Sequence, residues 1–363
     1  MILIFFQSCL SPHQMPFIRE CIGINGVEKV YYIIPRIDYA NRQAMGWGND
    51  WMLADESVVC KVLPTDDEVA ALLCSVNDVR CFFSGIHADT DLFRWFKLSL
   101  FYNVKRYLVT EPPYTFGKPL WMHYLRFFLQ DYKYIKNIDG VFAIGESCTK
   151  YYHSISSRWQ VWPFVYVTEN KVCYNGNKDV CGNLKLLFVG SLSKRKNVKV
   201  LIEALRGVSN IELTIVGDGT ERQSLEQLAI ERNVPAKFVG TKAMNEIPSI
   251  MVQHDMLVLP SLHDGWGAVV NEALTQGLFA VCSDKCGAKD LLLDARRGKV
   301  FANDNANSLK AILEEAAKNK DNLRADKSYR RNWTLNHVNG KSIASYLVDC
   351  ITSNCNVPCP WKQ

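Results

Sequence analysis

Short apolar runs that end in turn residues recur through the second half of the chain. They lie at 184–190, 211–217, 236–240, 255–260 and 278–284. Runs of this kind predict strands. Between the first two, Val198, Leu201, Ile202 and Leu205 recur at the spacing of one helix face. Because parallel strands need crossover connections, this alternation predicts a parallel sheet with helices on both faces.

The first half of the chain repeats this alternation less regularly. Strands are predicted at 2–6, 29–34, 81–84, 106–110 and 140–144, and helices near 14–22, 64–74, 88–102, 118–135 and 146–153. A length of 363 residues suits two domains better than one. The predicted fold class is therefore α/β, with two Rossmann-like doubly wound domains that face each other across a cleft.

An Asn- and Gly-rich segment at 166–183 is predicted to link the two domains. We expect residues 1–165 to form the first domain and residues 184–332 to form the second. Helical patterns follow at 305–318 and 334–352, and the tail at 353–363 is expected to be irregular.

Composition excludes several classes of protein. A hydrophobic content of 48% and a charged content of 22% are those of a soluble globular chain. The net charge of +5 is too small for a dedicated nucleic-acid binder. No apolar stretch approaches the roughly 20 residues that span a bilayer, and residues 1–6 lack the flanks of a signal peptide. We expect a cytoplasmic protein, with peripheral contact at the inner face of the membrane left open.

The 13 cysteines are odd in number and scattered. No CxxC pair occurs, and the nearest approaches are Cys282 with Cys286 and Cys355 with Cys359. Free thiols fit this distribution better than a metal site or a disulfide framework does.

Three loops of the second domain are candidates for chemistry. The first, at 190–197, is a strand-to-helix turn that carries Lys194, Arg195 and Lys196. It suits a diphosphate, or it is simply a solvated basic loop. The second, at 217–219, is a Gly-Asp-Gly turn that permits a close backbone approach. It is not the GxGxxG fingerprint of a dehydrogenase.

The third loop, HDGWGAVVNEA at 263–273, is the most specific of the three. Seven residues separate Asp264 from Glu272 across a Gly-rich turn that opens a helix. Carboxylates accept hydrogen bonds from sugar hydroxyls, and the amides of the turn suit phosphate oxygens. The alternative is that Asp264 caps the helix and Glu272 is merely exposed.

Together these segments resemble the donor domain of the family-4 retaining glycosyltransferases (glycosyltransferase group 1), which have the GT-B fold. The resemblance is carried by GSLSKRKN, IELTIVGDG, KFVG, LVLPSLHDGWGAVVNEAL and CGAKDLL. It covers about 120 residues well and the first half only in outline. It implies that Glu272 binds the ribose of the donor and that Asp264 contacts the donor sugar. It also implies that helix 334–352, within 333–363, crosses back to the first domain.

The resemblance further implies which residues bind the diphosphate and the base. Sugar and diphosphate would be bound through the amides of Gly265, Trp266, Gly267, Ala268 and Val269. Lys196 aligns with the family's phosphate-binding lysine, and Arg195 lies beside it. Gly190, Ser191 and Gly217 would line the donor site, and the base would lie near Val239 and Gly240.

Two positions depart from the family pattern. Asp264 stands where Glu is usual, and Ser191 stands where Arg is common. The second change removes one cation from the diphosphate site and weakens the expected stabilisation of the leaving group.

The resemblance implies transfer of a sugar, with retention, from a UDP-, GDP- or ADP-linked donor. No metal or other cofactor is expected. Lys196, Arg195 and the 265–269 amides would stabilise the leaving diphosphate. The acceptor would be a saccharide or a lipid-linked saccharide in surface polysaccharide or glycoconjugate biosynthesis. The alternative is a non-catalytic nucleotide-sugar-binding partner subunit.

The acceptor side has three candidates. His13 follows the first predicted strand and could bind or deprotonate an acceptor hydroxyl, or it is a structural loop histidine. His87 and the strand end at 110–113 rank below it.

Residues 92–136 carry eight Lys or Arg and fourteen aromatic side chains against two acids. Within them Trp121, Tyr124, Phe128 and Tyr132 are predicted near one helix face. This pattern fits contact with an anionic membrane surface, or an amphipathic helix that packs on the core. Nucleic-acid binding is disfavoured because no stacking platform accompanies the charge.

Overall fold

In the computed structural model, two parallel sheets organise the chain. The structure describes residues 1–37, 56–75, 78–114, 116–117, 119–169, 171–173, 182–353 and 356–363. Helices lie against both sheets, so the predicted α/β class with two doubly wound domains is confirmed.

Among the described residues, the sheet of the first domain has seven strands in the order β3-β2-β1-β4-β5-β6-β7. The strands are β1 Ile2–Phe6, β2 Lys29–Ile34, β3 Val59–Val62, β4 Val79–Phe83, β5 Lys105–Thr110, β6 Gly140–Ile144 and β7 Gln160–Phe164. Every pairing is parallel. All five residues of β1 are buried, which fits a central strand covered on both faces.

The sheet of the second domain has six strands in the order β10-β9-β8-β11-β12-β13. The strands are β8 Leu184–Val189, β9 Ile211–Val216, β10 Ala236–Phe238, β11 Met256–Leu259, β12 Phe279–Ser283 and β13 Gly298–Phe301. They are also all parallel.

Thirteen α-helices are described within these ranges. In the first domain they are α1 Met15–Glu20, α2 Asp66–Leu73, α3 Thr90–Ser99, α4 Leu120–Gln130 and α5 Glu146–Ile155. The others are α6 Val198–Leu205, α7 Arg222–Glu231, α8 Ile247–Met251, α9 Val269–Thr275, α10 Ala306–Lys318, α11 Lys320–Ala325, α12 Lys327–His337 and α13 Gly340–Thr352. No helix among the described residues has the length and apolar character to cross a membrane.

Three strands lie outside the predicted segments. These are β3, β7 and β13, each at the edge of its sheet. Edge strands are short and less apolar, so their patterns are weak. β7 also contains Pro163, which argues against a strand unless the strand lies at an edge.

The last helix packs on the first domain. A Cβ on Gly340, the first residue of α13, would lie 2.1 Å from the Pro16 carbonyl oxygen of α1. Tyr346 Oη donates a hydrogen bond to the Pro163 carbonyl at 3.0 Å. In the tail, Trp361 is fully buried and packs edge-on against Tyr346.

The segment between the domains is only partly polar. Val167 within it is fully buried, although the composition of the segment is polar. Further along, Cys173 N donates to the Gln276 side chain at 2.9 Å just after α9. Residues 170 and 174–181 of this segment lie outside the described residues.

Candidate active site

Three loops meet at one edge of the second sheet. Residues 190–197 follow β8, residues 217–219 follow β9, and residues 260–268 follow β11. Because β8 lies between β9 and β11, the loops are neighbours. In doubly wound sheets the carboxyl ends of the strands are where ligands bind.

A buried ion pair joins the first loop to the third. Lys196 Nζ donates a hydrogen bond to Asp264 Oδ2 at 2.6 Å, and their side chains are only 13% and 14% exposed. Arg195 Nη1 lies 3.6 Å from the same oxygen and donates to the His263 carbonyl at 2.9 Å. The structure thus brings two predicted cations against the first predicted carboxylate.

The ion pair keeps Asp264 charged. Burial acts to raise the pKa of Asp264, but the Lys196 and Arg195 cations outweigh burial and hold that pKa below its usual value. Asp264 does not cap a helix, because the N-cap position of α9 is Ala268 and receives no side-chain hydrogen bond. The capping alternative for Asp264 is therefore wrong.

The glycines of the first two loops allow those loops to pack together. A Cβ on Gly217 would lie 1.9 Å from the Gly190 carbonyl oxygen, and a Cβ on Gly219 would lie 2.4 Å from the Leu192 carbonyl oxygen. Both positions have positive φ, +131° and +155°. The sequence predicted that these glycines allow a close approach to a ligand. In the structure, the contact between the two loops already requires glycine at both positions.

Five consecutive amides of the third loop donate to no acceptor within the described part of the chain. They belong to Gly265, Trp266, Gly267, Ala268 and Val269. Gly267 has φ +95°, which L side chains rarely adopt. Buried amides normally find a partner, so this run is suited to an anionic or hydroxyl-rich ligand.

The loop after β12 packs against the third loop and forms backbone hydrogen bonds with it. Gly287 N donates to the Asp264 carbonyl at 3.2 Å, and Asp264 N donates to the Lys285 carbonyl at 3.1 Å. A Cβ on Gly287 would lie 2.3 Å from the Gly265 carbonyl oxygen. The loop geometry is therefore fixed by backbone contacts that side chains would disrupt.

The Trp266 side chain belongs to the core. It is 2% exposed, and its Nε1 donates to Asn271 Oδ1 at 2.8 Å. Asn271 Nδ2 in turn donates to the Tyr166 carbonyl at 2.8 Å. Trp266 therefore anchors the loop, and its backbone amide is the part available to a ligand.

Glu272 lies on α9, on the element where it was predicted. Its carboxyl group makes no hydrogen bond or ion pair to the described residues. Burial raises its pKa to about 7, with no cation to oppose the shift. A half-buried acid without a protein partner is a typical mark of a functional site.

Val239 and Gly240 follow β10 at the same edge of the sheet. Val239 N donates to the Ile215 carbonyl at 3.0 Å, and the Gly240 carbonyl accepts from Gly217 N at 2.9 Å. The predicted base-binding segment is thereby tied to the second loop.

The first domain meets the third loop directly. A Cβ on Gly265 would lie 1.9 Å from Glu111 Oε2, so any side chain at this position would displace the carboxylate. The Tyr114 ring meets the His263 ring edge-on at 5.0 Å. Glu111 and Tyr114 follow β5. Glu111 belongs to the strand end at 110–113, which the sequence placed below His13 as an acceptor-side candidate. Contact of both residues with the loop depends on how the domains face each other.

A cavity of about 590 Å³ lies on the first-domain side of the cleft. Its lining includes Glu111, His87, Asp131, His123 and Arg126. His87 Nε2 lies 2.9 Å from Asp131 Oδ1. Burial raises the pKa of Asp131, and the neighbouring His87 and Arg126 oppose this shift. Sequence patterns are local, so they could not predict this contact between His87 and Asp131, which have 43 residues between them.

His13 and Ser191 each make a local contact in the structure. The His13 ring lies 6.2 Å from the Tyr166 ring, and its carbonyl accepts from Val167 N. It is not among the cavity-lining residues. Ser191 Oγ lies 3.5 Å from Ser193 Oγ.

Metal ligation has no support among the described residues. No group of three or more His, Cys, Asp or Glu side chains in them is arranged to hold an ion. Cys282 and Cys286 are buried free thiols there, and Cys355 of the second candidate pair lies outside the described residues.

The comparisons with known proteins agree with this geometry. Residues 180–333 match the family described as glycosyl transferases group 1. The chain is 28% identical over 156 residues to an uncharacterized glycosyltransferase of Methanocaldococcus jannaschii, which is 41% of this chain and 44% of that protein. It is 33% identical over 151 residues to the N-acetylgalactosamine-N,N'-diacetylbacillosaminyl-diphospho-undecaprenol 4-alpha-N-acetylgalactosaminyltransferase of Campylobacter jejuni, which is 39% of this chain and 41% of that protein. The match thus spans less than half the length of these curated relatives.

Two solved structures share the architecture over nearly the whole chain. HepE of Anabaena, solved in complex with UDP, has a TM-score of 0.70 at 14% identity and covers 97% of this chain and 100% of its own. The lipopolysaccharide outer core galactosyltransferase WaaB has a TM-score of 0.69 at 13% identity and covers 98% and 100%. At these identities the likeness shows the fold alone. The chain therefore has the GT-B fold, and its residues 180–333 match the family described as glycosyl transferases group 1.

Proposed function

We propose that this protein is a retaining glycosyltransferase that uses a nucleotide-sugar donor. The observation that carries the proposal is the convergence of three groups at one sheet edge: the five amides at 265–269, the Lys196 and Arg195 cations, and the Glu272 carboxyl group. A nucleotide sugar offers a matching set of groups, namely a diphosphate, sugar hydroxyls and a ribose diol.

Each group has a part in the proposed reaction. Glu272 accepts hydrogen bonds from the ribose hydroxyls, and Val239 and Gly240 bind the base. Asp264 contacts the transferred sugar. Lys196, Arg195 and the loop amides stabilise the negative charge that develops on the diphosphate as the bond to the sugar breaks. Donors that are already in position cost no reorganisation at that moment.

The proposed acceptor is a saccharide or a lipid-linked saccharide, bound in the cavity of the first domain. That cavity holds polar side chains suited to hydroxyl groups, among them Glu111, His87 and Asp131. Such a reaction belongs to the biosynthesis of surface polysaccharides or glycoconjugates. We further propose a cytoplasmic enzyme with peripheral contact to an anionic membrane, and a reaction that needs no metal.

The donor is tested by thermal unfolding of the full chain with UDP-, GDP- and ADP-sugars. A ligand at a hundredfold excess over its Kd adds about 2.7 kcal/mol to the free energy of unfolding. We expect one base to be preferred and the shift to be lost in Glu272→Ala. The absence of a shift with any of the three classes would contradict a nucleotide-sugar site.

Turnover and stereochemistry need separate measurements. With the preferred donor, we expect the anomeric configuration of the product, determined by NMR, to be that of the donor. Addition of EDTA should leave the rate unchanged. Inversion of configuration, or a rate that falls with EDTA, would remove the corresponding part of the proposal.

A second candidate function is a non-catalytic partner subunit that binds a nucleotide sugar. The shorter carboxylate at Asp264 and the missing cation at Ser191 favour it. Donor binding without hydrolysis or transfer would identify this function, whereas slow hydrolysis of the donor that depends on Lys196 would exclude it.

A further inference from the structure

A cavity of about 610 Å³ lies at the edge of the first sheet that is opposite the cleft. It opens beside the first residues of β4, β5 and β7, where Arg80, Lys105 and Gln160 line it. Because these strands are parallel, their starts share one edge of the sheet, whereas Glu111 follows the end of β5. The six residues of β5 place this edge about 20 Å from the cleft. The cavity is therefore separate from the cleft, and its volume is that of a ligand site.

Two aromatic side chains, Trp162 and Tyr107, form the floor of this cavity. The Trp162 ring stacks on Phe142 with 4.8 Å between the ring centroids, and its centroid lies 6.2 Å from that of Tyr107. The strand register places Gly140 between Tyr107 on β5 and Gln160 on β7. A Cβ on Gly140 would lie 2.4 Å from Trp162 Cζ3, so the indole occupies the space that a side chain on β6 would fill. With one face on Phe142, the half-buried indole meets the cavity on its other side.

Planar polar side chains surround this aromatic floor. Gln160 and Asn356 border it with exposed amide groups. Arg80 is fixed on two sides, because its Nε and Nη2 donate to Asp78 Oδ2 at 2.9 and 2.6 Å and its Nη1 donates to the Ile351 carbonyl of α13. Amide and guanidinium groups present donors in a fixed plane, and the amides add acceptors. This set of groups suits a ligand that carries several hydroxyl groups.

The charges around the cavity are balanced. Lys105 Nζ donates to Asp139 Oδ1 at 3.0 Å, and Arg80 Nη2 lies 2.6 Å from Asp78 Oδ2. A phosphate or carboxylate group of a ligand would lie beside these acids, and like charges in contact are unfavourable. Hydroxyl groups instead accept hydrogen bonds from the cations and donate to the carboxylates. The lining therefore favours a neutral ligand over a nucleotide or another anion.

A saccharide matches the floor and the walls of the cavity together. The C–H groups on one side of a pyranose ring carry small positive charges, which are attracted to the negative face of an aromatic ring such as Trp162. The hydroxyl groups around the sugar ring both donate and accept, as the surrounding side chains require. Arg80 is already held by its protein partners, so it loses little freedom when a ligand binds.

We propose that this cavity is a saccharide-binding site outside the cleft, and that it takes a short neutral segment of a glycan with one sugar ring against Trp162. The proposal does not rest on the proposed function, because this edge of the sheet needs neither the donor loops nor the acceptor cavity to bind a sugar. The site gives a glycan chain an additional point of attachment, and linked contacts raise the effective concentration of each other.

Binding is tested by saturation-transfer NMR of the full chain with neutral di- to tetrasaccharides of glucose, galactose and N-acetylglucosamine. We expect at least one of them to bind the wild type and Trp162→Ala to weaken its binding at least tenfold, because the stacking contact is lost. Trp162 also packs on the sheet, so a second variant removes exposed side chains instead. Gln160→Ala with Asn356→Ala should weaken binding about fivefold through the loss of hydrogen bonds. No binding of any of these saccharides, or wild-type binding in both variants, would overturn the proposal.

A matched tryptophan and an anionic probe provide the controls. Trp121 on α4 is 63% exposed, and Trp121→Ala should bind the saccharides as the wild type does. Equal loss of binding in Trp121→Ala and Trp162→Ala would show that the signal reports exposed tryptophans in general and would overturn the proposal. Inorganic pyrophosphate should not displace the saccharide. Displacement would assign the cavity to an anion instead.

A photoreactive saccharide distinguishes this cavity from the cleft. A diazirine derivative of the saccharide that binds best should form crosslinks to peptides containing residues 160–162 or 350–353, identified by mass spectrometry. Crosslinks confined to residues 84–88 and 109–114 would place the sugar in the candidate acceptor cavity and overturn the proposal. Absence of donor binding and turnover in the wild type would count against the proposed function and leave the crosslinks at 160–162 unchanged.

Discussion

The Lys196–Asp264 pair links the stability of the second domain to its chemistry. If Lys196 only stabilised the leaving diphosphate, Lys196→Ala would lower turnover with little effect on folding. The structure changes that expectation, because loss of Lys196 leaves a largely buried carboxylate with only the more distant Arg195 as a counter-charge. An unpaired buried charge is strongly destabilising.

We therefore predict that Lys196→Ala loses both turnover and stability, the latter by about 3 kcal/mol. The matched variant Lys196→Met with Asp264→Asn removes both charges and should recover most of that stability without recovering turnover. Unfolding in denaturant gives the two free energies. Equal destabilisation of the single and double variants would show that the charges do not stabilise each other.

The raised pKa of Glu272 predicts that the stability of the protein depends on pH. Its pKa is raised to about 7, so the folded state binds its proton more tightly than the unfolded state does. The stability that comes from the protonated form is complete below the ordinary pKa near 4.5 and is lost as the pH rises through about 7. A shift of this size corresponds to at most about 3 kcal/mol.

Glu272→Gln should therefore be more stable than the wild type above about pH 7 and equal to it below about pH 4.5. Nucleotide binding should show the reverse, with the wild type gaining affinity as its carboxyl group ionises and the variant staying weak. Thermal unfolding and calorimetric titration across this range check both. A stability difference that does not change with pH would contradict the raised pKa.

At the scale of the elements, most strands and helices of both domains could be predicted, whereas contacts between distant segments could not. Strands, helices and the three loops of residues 184–284 follow from local patterns that end in Gly, Pro or Asp. The contact of Glu111 with Gly265 and the approach of His87 to Asp131 depend on tertiary packing across many residues. The exposure of Trp121, Leu125, Phe128 and Leu129 on α4 is another such case, since periodicity identifies a helix face but does not show what covers it.

The contact between Glu111 and Gly265 leads to a prediction about the loop. Gly265→Ala places a methyl group where the Glu111 carboxylate lies, so the Glu111 side chain must move away from the loop. We expect turnover to fall at least tenfold while the melting temperature changes little. Gly265→Ala with Glu111→Ala provides the control, because room for the methyl group should restore nucleotide binding. Wild-type turnover in Gly265→Ala would show that the cleft does not need this close approach.

At the scale of the whole molecule, the two domains are joined at several points. Asp290 Oδ2 accepts from Glu146 N at 2.8 Å, and Lys289 Nζ lies 3.3 Å from the Glu146 carboxylate. Gly145 and Gly287 approach so closely that a Cβ on Gly145 would lie 3.2 Å from Gly287 Cα. These contacts lie beside the third loop, so any opening of the cleft acts on the donor site.

The tail carries a further prediction. Trp361 is fully buried, whereas its neighbour Lys362 is exposed. Trp361→Ala should lower the free energy of unfolding by about 3–5 kcal/mol, and Lys362→Ala should leave it nearly unchanged. Equal melting temperatures for the two variants would show that the tail packs only loosely.

The docking of α13 on α1 affects how the protein is made. Helix α13 packs against α1, and its Ile343, Ala344 and Leu347 are fully buried. During synthesis α1 leaves the ribosome early, while α13 emerges only after the whole second domain. The first domain therefore carries an uncovered apolar surface throughout translation, and its completion waits for the last helix.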